Sequence, residues 1–278
     1  MKYKGAKTAP ARGRIPLMEH VVKAVVLGIV QGLTEFLPVS SSGHLLVFRK
    51  MFGLSEAGLL LDTMLHFGTL AAVMAVFWRD IMDMLKKPFS HLTLLVAVGT
   101  IPTALIGLFF KDFFEELAVS GVTVGWEFLA TGVIIWAADN IKNRGTKDIK
   151  RVTFVDALVV GTLQGAAILP AISRSGFTIA GALFCGIKRE TAARFSFLIS
   201  VPAIMGAVAV QGADLLGGKG ESIGALPLAI GALTSAVAGY VAVKWMLAVI
   251  QRGSFKGFAV YVWFLGAAII ILQFLGKF

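Results

Sequence analysis

Gly28–Ile29–Val30–Gln31–Gly32, closing on Pro38–Val39–Ser40–Ser41–Ser42–Gly43–His44, is written a second time as Gly161–Thr162–Leu163–Gln164–Gly165, closing on Pro170–Ala171–Ile172–Ser173–Arg174–Ser175–Gly176. At one offset Gly28, Gln31, Gly32, Ser40, Ser42 and Gly43 fall on Gly161, Gln164, Gly165, Ser173, Ser175 and Gly176, and only the prolines miss by one place. In both copies Gly, Pro and hydroxyl residues interrupt segments that would otherwise be apolar helices. Such breaks are tolerated at membrane depth only where protein buries them or where they line a wet cavity. The chain is therefore read as a duplication that builds a paired active or binding site.

The composition agrees with a membrane origin for these segments. Hydrophobic residues make up 57% of the 278 and charged residues 15%, with a mean hydropathy of +0.82, too apolar for a water-soluble domain of this length. The apolar runs approach the ~20 residues that cross a bilayer as a helix and lack the alternation of an outer-membrane barrel. Cys185 is the sole cysteine, which excludes an internal disulfide frame. The net charge of +10 sits mainly in short loops, so topology explains it and no nucleic-acid partner is expected. Residues 1–17, with Lys2, Lys4, Lys7, Arg12 and Arg14 among Gly, Ala and Pro, read as a disordered basic tail. No small-residue cleavage site follows, so a signal peptide is not assigned.

The expected fold is an all-α integral membrane protein with an inverted duplication, each half a re-entrant broken helix pair plus three transmembrane helices. Residues 18–278 form one polytopic domain with repeat halves at 18–145 and 150–278. The broken segments are placed at 20–52 and 153–187, and the spans at 60–79, 92–110, 122–139, 191–211, 225–250 and 257–276. Ile101–Pro102–Thr103–Ala104–Leu105–Ile106–Gly107 aligns loosely with Leu233–Thr234–Ser235–Ala236–Val237–Ala238–Gly239, extending the repeat beyond the motifs. Three crossings per half force the second half to be inverted, so the two breaks enter from opposite faces and meet. One face collects Arg79, Lys86, Lys87, Lys142, Arg144, Lys147, Lys150, Arg151, Lys188, Arg189, Arg252 and Lys256, and is assigned to the cytoplasm. The other mixes Arg49, Lys50, Lys111 and Lys219 with six acids; the basic tail falls on this outer face, against the rule.

Two charges stand inside the apolar breaks. Glu35 follows Gln31 by four residues on one helical face, where a carboxylate costs about 2.5–3.5 kcal/mol on insertion scales unless it is paired or neutralised. A divalent cation, Mg²⁺ or Ca²⁺, or a general-base role would account for it. Ser40, Ser41 and Ser42 precede Gly43 and His44 at a helix start, whose unpaired N–H groups and positive dipole end suit phosphate. His44 is three residues after Ser41, so its imidazole is expected to approach that hydroxyl, and Ser with His and Glu is the kit of an activated nucleophile. Arg174, between Ser173 and Ser175, offers the forked donor geometry that binds phosphate oxygens; a salt bridge to Glu35 is its structural alternative. Thr178 lies one turn further on. His66 with Asp62 reads as a packing histidine, Arg194 as a snorkelling side chain, and Gln31 and Gln164 as polar contacts between helices.

The run from Gln31 to His44, the run from Pro170 to Gly176 and the later Arg194–Phe195–Ser196–Phe197–Leu198 closely resemble the bacitracin-resistance (BacA/UppP) family of undecaprenyl-pyrophosphate phosphatases, over nearly the whole chain after the tail. The resemblance implies a multipass plasma-membrane enzyme whose site faces the outside and which hydrolyses undecaprenyl diphosphate to the monophosphate, recycling the lipid carrier for cell-wall synthesis. It implies Glu35 as the second acid of a cation-associated pair, with Gln31 at the first acid position. It implies Ser41 and His44 as the catalytic pair, and Ser173, Arg174 and Thr178 as pyrophosphate ligands. Ala171 stands where the family has glycine, a position at which φ > 0 would be resisted.

From residues and resemblance together, Ser41 is expected to attack the terminal phosphorus with His44 as base and Glu35 orienting it or the metal, and direct attack by His44 stays open. Ser40, Ser42, Ser175 and Gln31 are expected to join Arg174 in holding the diphosphate. A transporter or flippase for an anionic or lipid-phosphate substrate is the rival, since inverted repeats with broken helices also build carriers. A homodimer is left open.

Overall fold

A computed structural model describes residues 17–52, 59–141, 145–214 and 224–278. The basic tail, apart from Leu17, lies outside the described residues, as do Lys142, Arg144 and Lys219. The described residues form α1 (Leu17–Phe36), α2 (Ser41–Phe52), α3 (Leu59–Val76), α4 (Trp78–Lys86), α5 (His91–Phe109), α6 (Lys111–Ser120), α7 (Val124–Asp139), α8 (Phe154–Ala166), α9 (Arg174–Phe184), α10 (Arg189–Asp214), α11 (Ala225–Arg252) and α12 (Lys256–Phe274). Five of them, α1, α5, α10, α11 and α12, are long and apolar enough to cross a membrane. The number rises to seven when the pairs α3–α4, bent by 80°, and α6–α7, bent by 109°, each count as one span. The protein is a multi-pass integral membrane protein of the plasma membrane.

The breaks fall where the motifs lie. α1 stops at Phe36 because Pro38 supplies no N–H for helix propagation, and α2 restarts at Ser41. α8 opens on a capping box, Thr153 and Asp156 each accepting the other's backbone N–H, and stops at Ala166 before Pro170. Ser173 caps α9 by accepting from the Gly176 N–H.

The packing is that of an inverted repeat. Gly28 of α1 faces the Gly231 carbonyl of α11, and its counterpart Gly161 of α8 faces the Gly99 carbonyl of α5. Each half's broken helix thus lies against the other half's long helix, with glycine on both sides of each contact so that the backbones approach closely. The equivalent helices α7 and α12 cross antiparallel: Gly121 meets Gln273, Leu129 meets Trp263 and Lys256 covers Trp136. Equivalent α3 and α10 do likewise, Thr63 meeting Gln211 and Phe77 meeting Phe197.

These contacts define two ends. Asp139, Lys147, Ile187, Arg189 and Gly253 gather at one, the end assigned to the cytoplasm by charge. Lys50, Gly121 and Phe278 gather at the other. α1–α2 starts from and returns to this second end, and α8–α9 to the first. Phe36, where α1 breaks, lies against Gly239 near the midpoint of α11, so the two breaks meet at mid-depth. Phe36, Phe128, Phe195 and Phe197 are fully buried around them.

Candidate active site

The two interrupted helices are tied together break to break. Ser40 Oγ donates to the Pro170 carbonyl at 3.5 Å, and Ser175 Oγ donates to the Leu37 carbonyl at 2.8 Å. Leu37 and Pro170 are repeat equivalents at the motif offset, so each loop is fastened by a serine of the other.

Glu35 stands at the centre of this junction, 7% exposed. Arg174 Nη2 donates to its Oε1 at 2.7 Å, while Ser41 Oγ, at 2.5 Å, and Gln31 Nε2, at 3.0 Å, donate to its Oε2. The charge that the lipid interior would penalise is thereby paired and hydrogen-bonded. The salt bridge weighed as an alternative for Arg174 therefore exists, and it brings both motifs to one site rather than competing with that arrangement.

The expected divalent cation does not belong here. Both carboxylate oxygens of Glu35 are engaged by protein donors, Gln31 supplies an amide where a second acid would stand, and among the described residues no group of three or more His, Cys, Asp or Glu could hold a metal ion. Glu35 is a partner of Arg174 and Ser41, not a metal ligand.

His44 also departs from expectation. Its Nδ1 lies 2.6 Å from the Ser40 carbonyl and its Nε2 lies 2.7 Å from the Tyr261 hydroxyl. A carbonyl can only accept, so Nδ1 carries the proton and Nε2 the lone pair. The Ser41 hydroxyl instead points to Glu35, because the break between α1 and α2 folds the helix end back over the serine. The Ser40 carbonyl also accepts from the His44 backbone N–H at the start of α2, and Ser40 has φ of 71°, the sole positive φ among described non-glycine residues. Ala171 is therefore free of the strain that its replacement of glycine suggested.

In the second motif Arg174 remains partly exposed, its side chain 15% accessible. Ser173 Oγ lies 3.3 Å from Ser175 Oγ and caps α9. Thr178 is buried, donating to the Arg174 carbonyl at 2.8 Å and lying 2.5 Å from Ser196 Oγ; it fastens the Arg174 turn to α10. Ser42 is exposed. Gln31 Oε1 is buried with no hydrogen-bond partner among the described residues. Of the other polar residues, His66 donates to the Asp62 carbonyl at 2.9 Å, Gln164 joins α8 to Thr103 of α5 at 3.0 Å, and Arg194, its side chain 46% exposed, pairs with Asp80.

Three supporting residues were not visible in the motifs. Glu127 of α7, 6% exposed, accepts from the Ala171 N–H at 2.5 Å and from Thr123 Oγ1 at 2.6 Å. Thr131, one turn on, accepts from the Ser173 N–H at 3.0 Å. Tyr261 of α12 binds His44. Nothing near Glu127 or Tyr261 in sequence distinguishes them from other polar residues on apolar helices.

Comparison with known proteins follows the same lines. The family model described as bacitracin resistance protein BacA matches residues 24–268. The chain belongs to the BacA family. It is 54% identical over 257 residues to undecaprenyl-diphosphatase 4 of Bacillus thuringiensis subsp. konkukian, covering 92% of this chain and 99% of that protein. An undecaprenyl-diphosphatase of Carboxydothermus hydrogenoformans is 51% identical over 263 residues, covering 92% and 98%. One from Desulfatibacillum aliphaticivorans is 43% identical over 277 residues, covering 92% and 99%.

Proposed function

We propose that this BacA-family protein is an undecaprenyl-diphosphate phosphatase, a membrane hydrolase that converts undecaprenyl diphosphate to undecaprenyl phosphate and inorganic phosphate and so recycles the lipid carrier for peptidoglycan synthesis, with bacitracin resistance as a consequence. The observation that carries this is the Glu35–Arg174 pair, which joins two half-helix starts, rich in hydroxyls and backbone donors, at mid-depth. The carrier alternative gains no support from the relatives or from the site.

The diphosphate headgroup lies against Arg174, the α2 and α9 starts and the exposed Ser42, with the polyprenyl tail among the lipid-facing helices. The pocket opens to the outer face, which the charge asymmetry supports. Arg174 and the helix-start N–H groups stabilise charge that develops on the phosphoryl oxygens. Ser41 Oγ attacks the terminal phosphorus: its bond to phosphorus forms, the bond to the bridging oxygen breaks, and undecaprenyl phosphate leaves. The Ser41 proton passes to Glu35, whose oxygen already accepts it as a hydrogen bond. His44 then serves as base through Nε2, taking a proton from the water that releases phosphate from Ser41, and Glu35 returns its proton to the leaving Ser41 oxygen. Ser173 and Thr178 hold Arg174 in place.

The test is phosphate release from undecaprenyl diphosphate by purified protein in detergent. The wild type is expected to liberate phosphate, and Glu35→Ala, His44→Ala and Arg174→Ala to lose that activity while remaining folded. An inactive wild type, or full activity in all three variants, would end the proposal.

A further inference from the structure

The partner of His44 has a consequence for how protons reach it. Neutral imidazole has one lone pair. With Nδ1–H given to the Ser40 carbonyl, that lone pair is on Nε2, and the Tyr261 hydroxyl occupies it at 2.7 Å. The imidazole ring is fixed as well: it stacks on the Tyr261 ring at 5.6 Å between centroids with 17° between planes, and meets Phe128 edge-on at 5.5 Å. His44 is 5% exposed and Tyr261 47% exposed, and because the Tyr261 hydroxyl already holds the Nε2 lone pair, a proton that reaches Nε2 passes through that hydroxyl.

We infer that Tyr261 is the proton entry point of the site, relaying to His44 Nε2 the proton that His44 takes up during phosphate release; this rests on the phosphatase activity proposed above. The step balances. The attacking water gives a proton to Tyr261 Oη as the Tyr261 proton moves to His44 Nε2, and the water oxygen forms its bond to phosphorus as the Ser41 Oγ–P bond breaks. Tyr261 ends neutral, now accepting a hydrogen bond from the Nε2–H it has created, a change of role open to a hydroxyl. The leaving Ser41 oxygen takes back the proton held on Glu35, and the proton on His44 leaves through Tyr261 to solvent once phosphate departs, so no outside co-reactant is needed.

The decisive variant is Tyr261→Phe, which keeps the ring stack and removes only the hydroxyl. Its kcat for phosphate release is expected to fall at least about tenfold with KM within about twofold, and the D₂O effect on kcat is expected to shrink because one transferring proton is lost. Added to His44→Ala in single-turnover assays, Tyr261→Phe should cause no further loss, since the two act as one unit. Histidine-selective ¹⁵N spectra should keep the Nδ1–H tautomer of His44 and move its Nε2 resonance, which checks the fold independently of activity. Full kcat in Tyr261→Phe would overturn the relay, as would a loss that multiplies with His44→Ala and leaves the D₂O effect unchanged. An inactive wild type would remove the function on which it rests, a result separable from either.

Discussion

Arg174 reaches across 139 residues of chain to place its guanidinium 2.7 Å from the Glu35 carboxylate. A buried pair of this kind is weak evidence for stability but strong evidence that both charges are wanted, because removing one leaves the other unpaired. Glu35→Gln and Arg174→Met are each expected to lower stability, by about 3 kcal/mol given the partial exposure of Arg174. The double variant, which leaves no orphan charge, is expected to recover most of that loss while staying inactive. Thermal unfolding in detergent beside phosphate release checks both halves; a double variant less stable than either single one would show that the pair holds the two repeats together.

Ser41 is within hydrogen-bonding distance of a carboxylate and His44 is not directed at it, which favours the serine as the group that is phosphorylated. Ser41→Ala is expected to lose turnover by at least about 10³-fold, the scale on which a missing nucleophile acts in a site that otherwise still binds. Quenching wild type during turnover should trap acid-stable phosphate on Ser41. Acid-labile label on His44 would instead make Nε2 the nucleophile.

Local sequence carried the fold because its determinants repeat. The paired Gly, Gln, Ser and Gly positions mark both breaks, and the odd number of spans between them fixes the inversion later visible in the antiparallel crossing of α7 and α12. The same motifs contain Glu35, Ser41, His44 and Arg174, so the centre of the site was legible too. What was not legible depends on partners remote in sequence. The Ser40 carbonyl takes the Nδ1–H of His44, Tyr261 comes from 217 residues away, and Arg174, not a cation, satisfies Glu35. The expected Ser41–His44 contact followed from helical spacing alone and was displaced by this tertiary arrangement.

Glu127 holds the second motif from behind. Its two oxygens accept from the Ala171 N–H and the Thr123 hydroxyl, so Glu127→Gln turns an amide donor toward one of two donors. Ala171 leads directly into Ser173 and Arg174, and the expected outcome is a shifted Arg174: kcat/KM falls about 10- to 100-fold, about 1.4–2.7 kcal/mol of transition-state stabilisation, with most of the change in KM. Glu127→Asp, which keeps two acceptors, should retain more activity than Glu127→Gln. Steady-state kinetics on the two variants decide the matter, and equal activity in both would show that the loop is held without this carboxylate.

The glycine contacts between the halves make a different kind of prediction, one about assembly and not chemistry. A Cβ on Gly161 would lie 1.9 Å from the Gly99 carbonyl oxygen, whereas one on Gly206 of α10 would meet nothing within 4 Å. Backbone cannot yield as a flexible side chain does, so Gly161→Ala must push α8 away from α5, costing about 1–3 kcal/mol as overpacking does elsewhere. Gly206→Ala removes only backbone freedom from a helix interior and should be neutral or stabilising by up to about 1 kcal/mol. Because α8 delivers the loop that ends in Arg174, Gly161→Ala is also expected to reduce phosphate release, and Gly206→Ala to leave it unchanged. Unfolding midpoints and phosphate release measured together on the two variants provide the check. A Gly161→Ala protein as stable as wild type would mean that the close approach of α5 and α8 is not what seats the second motif.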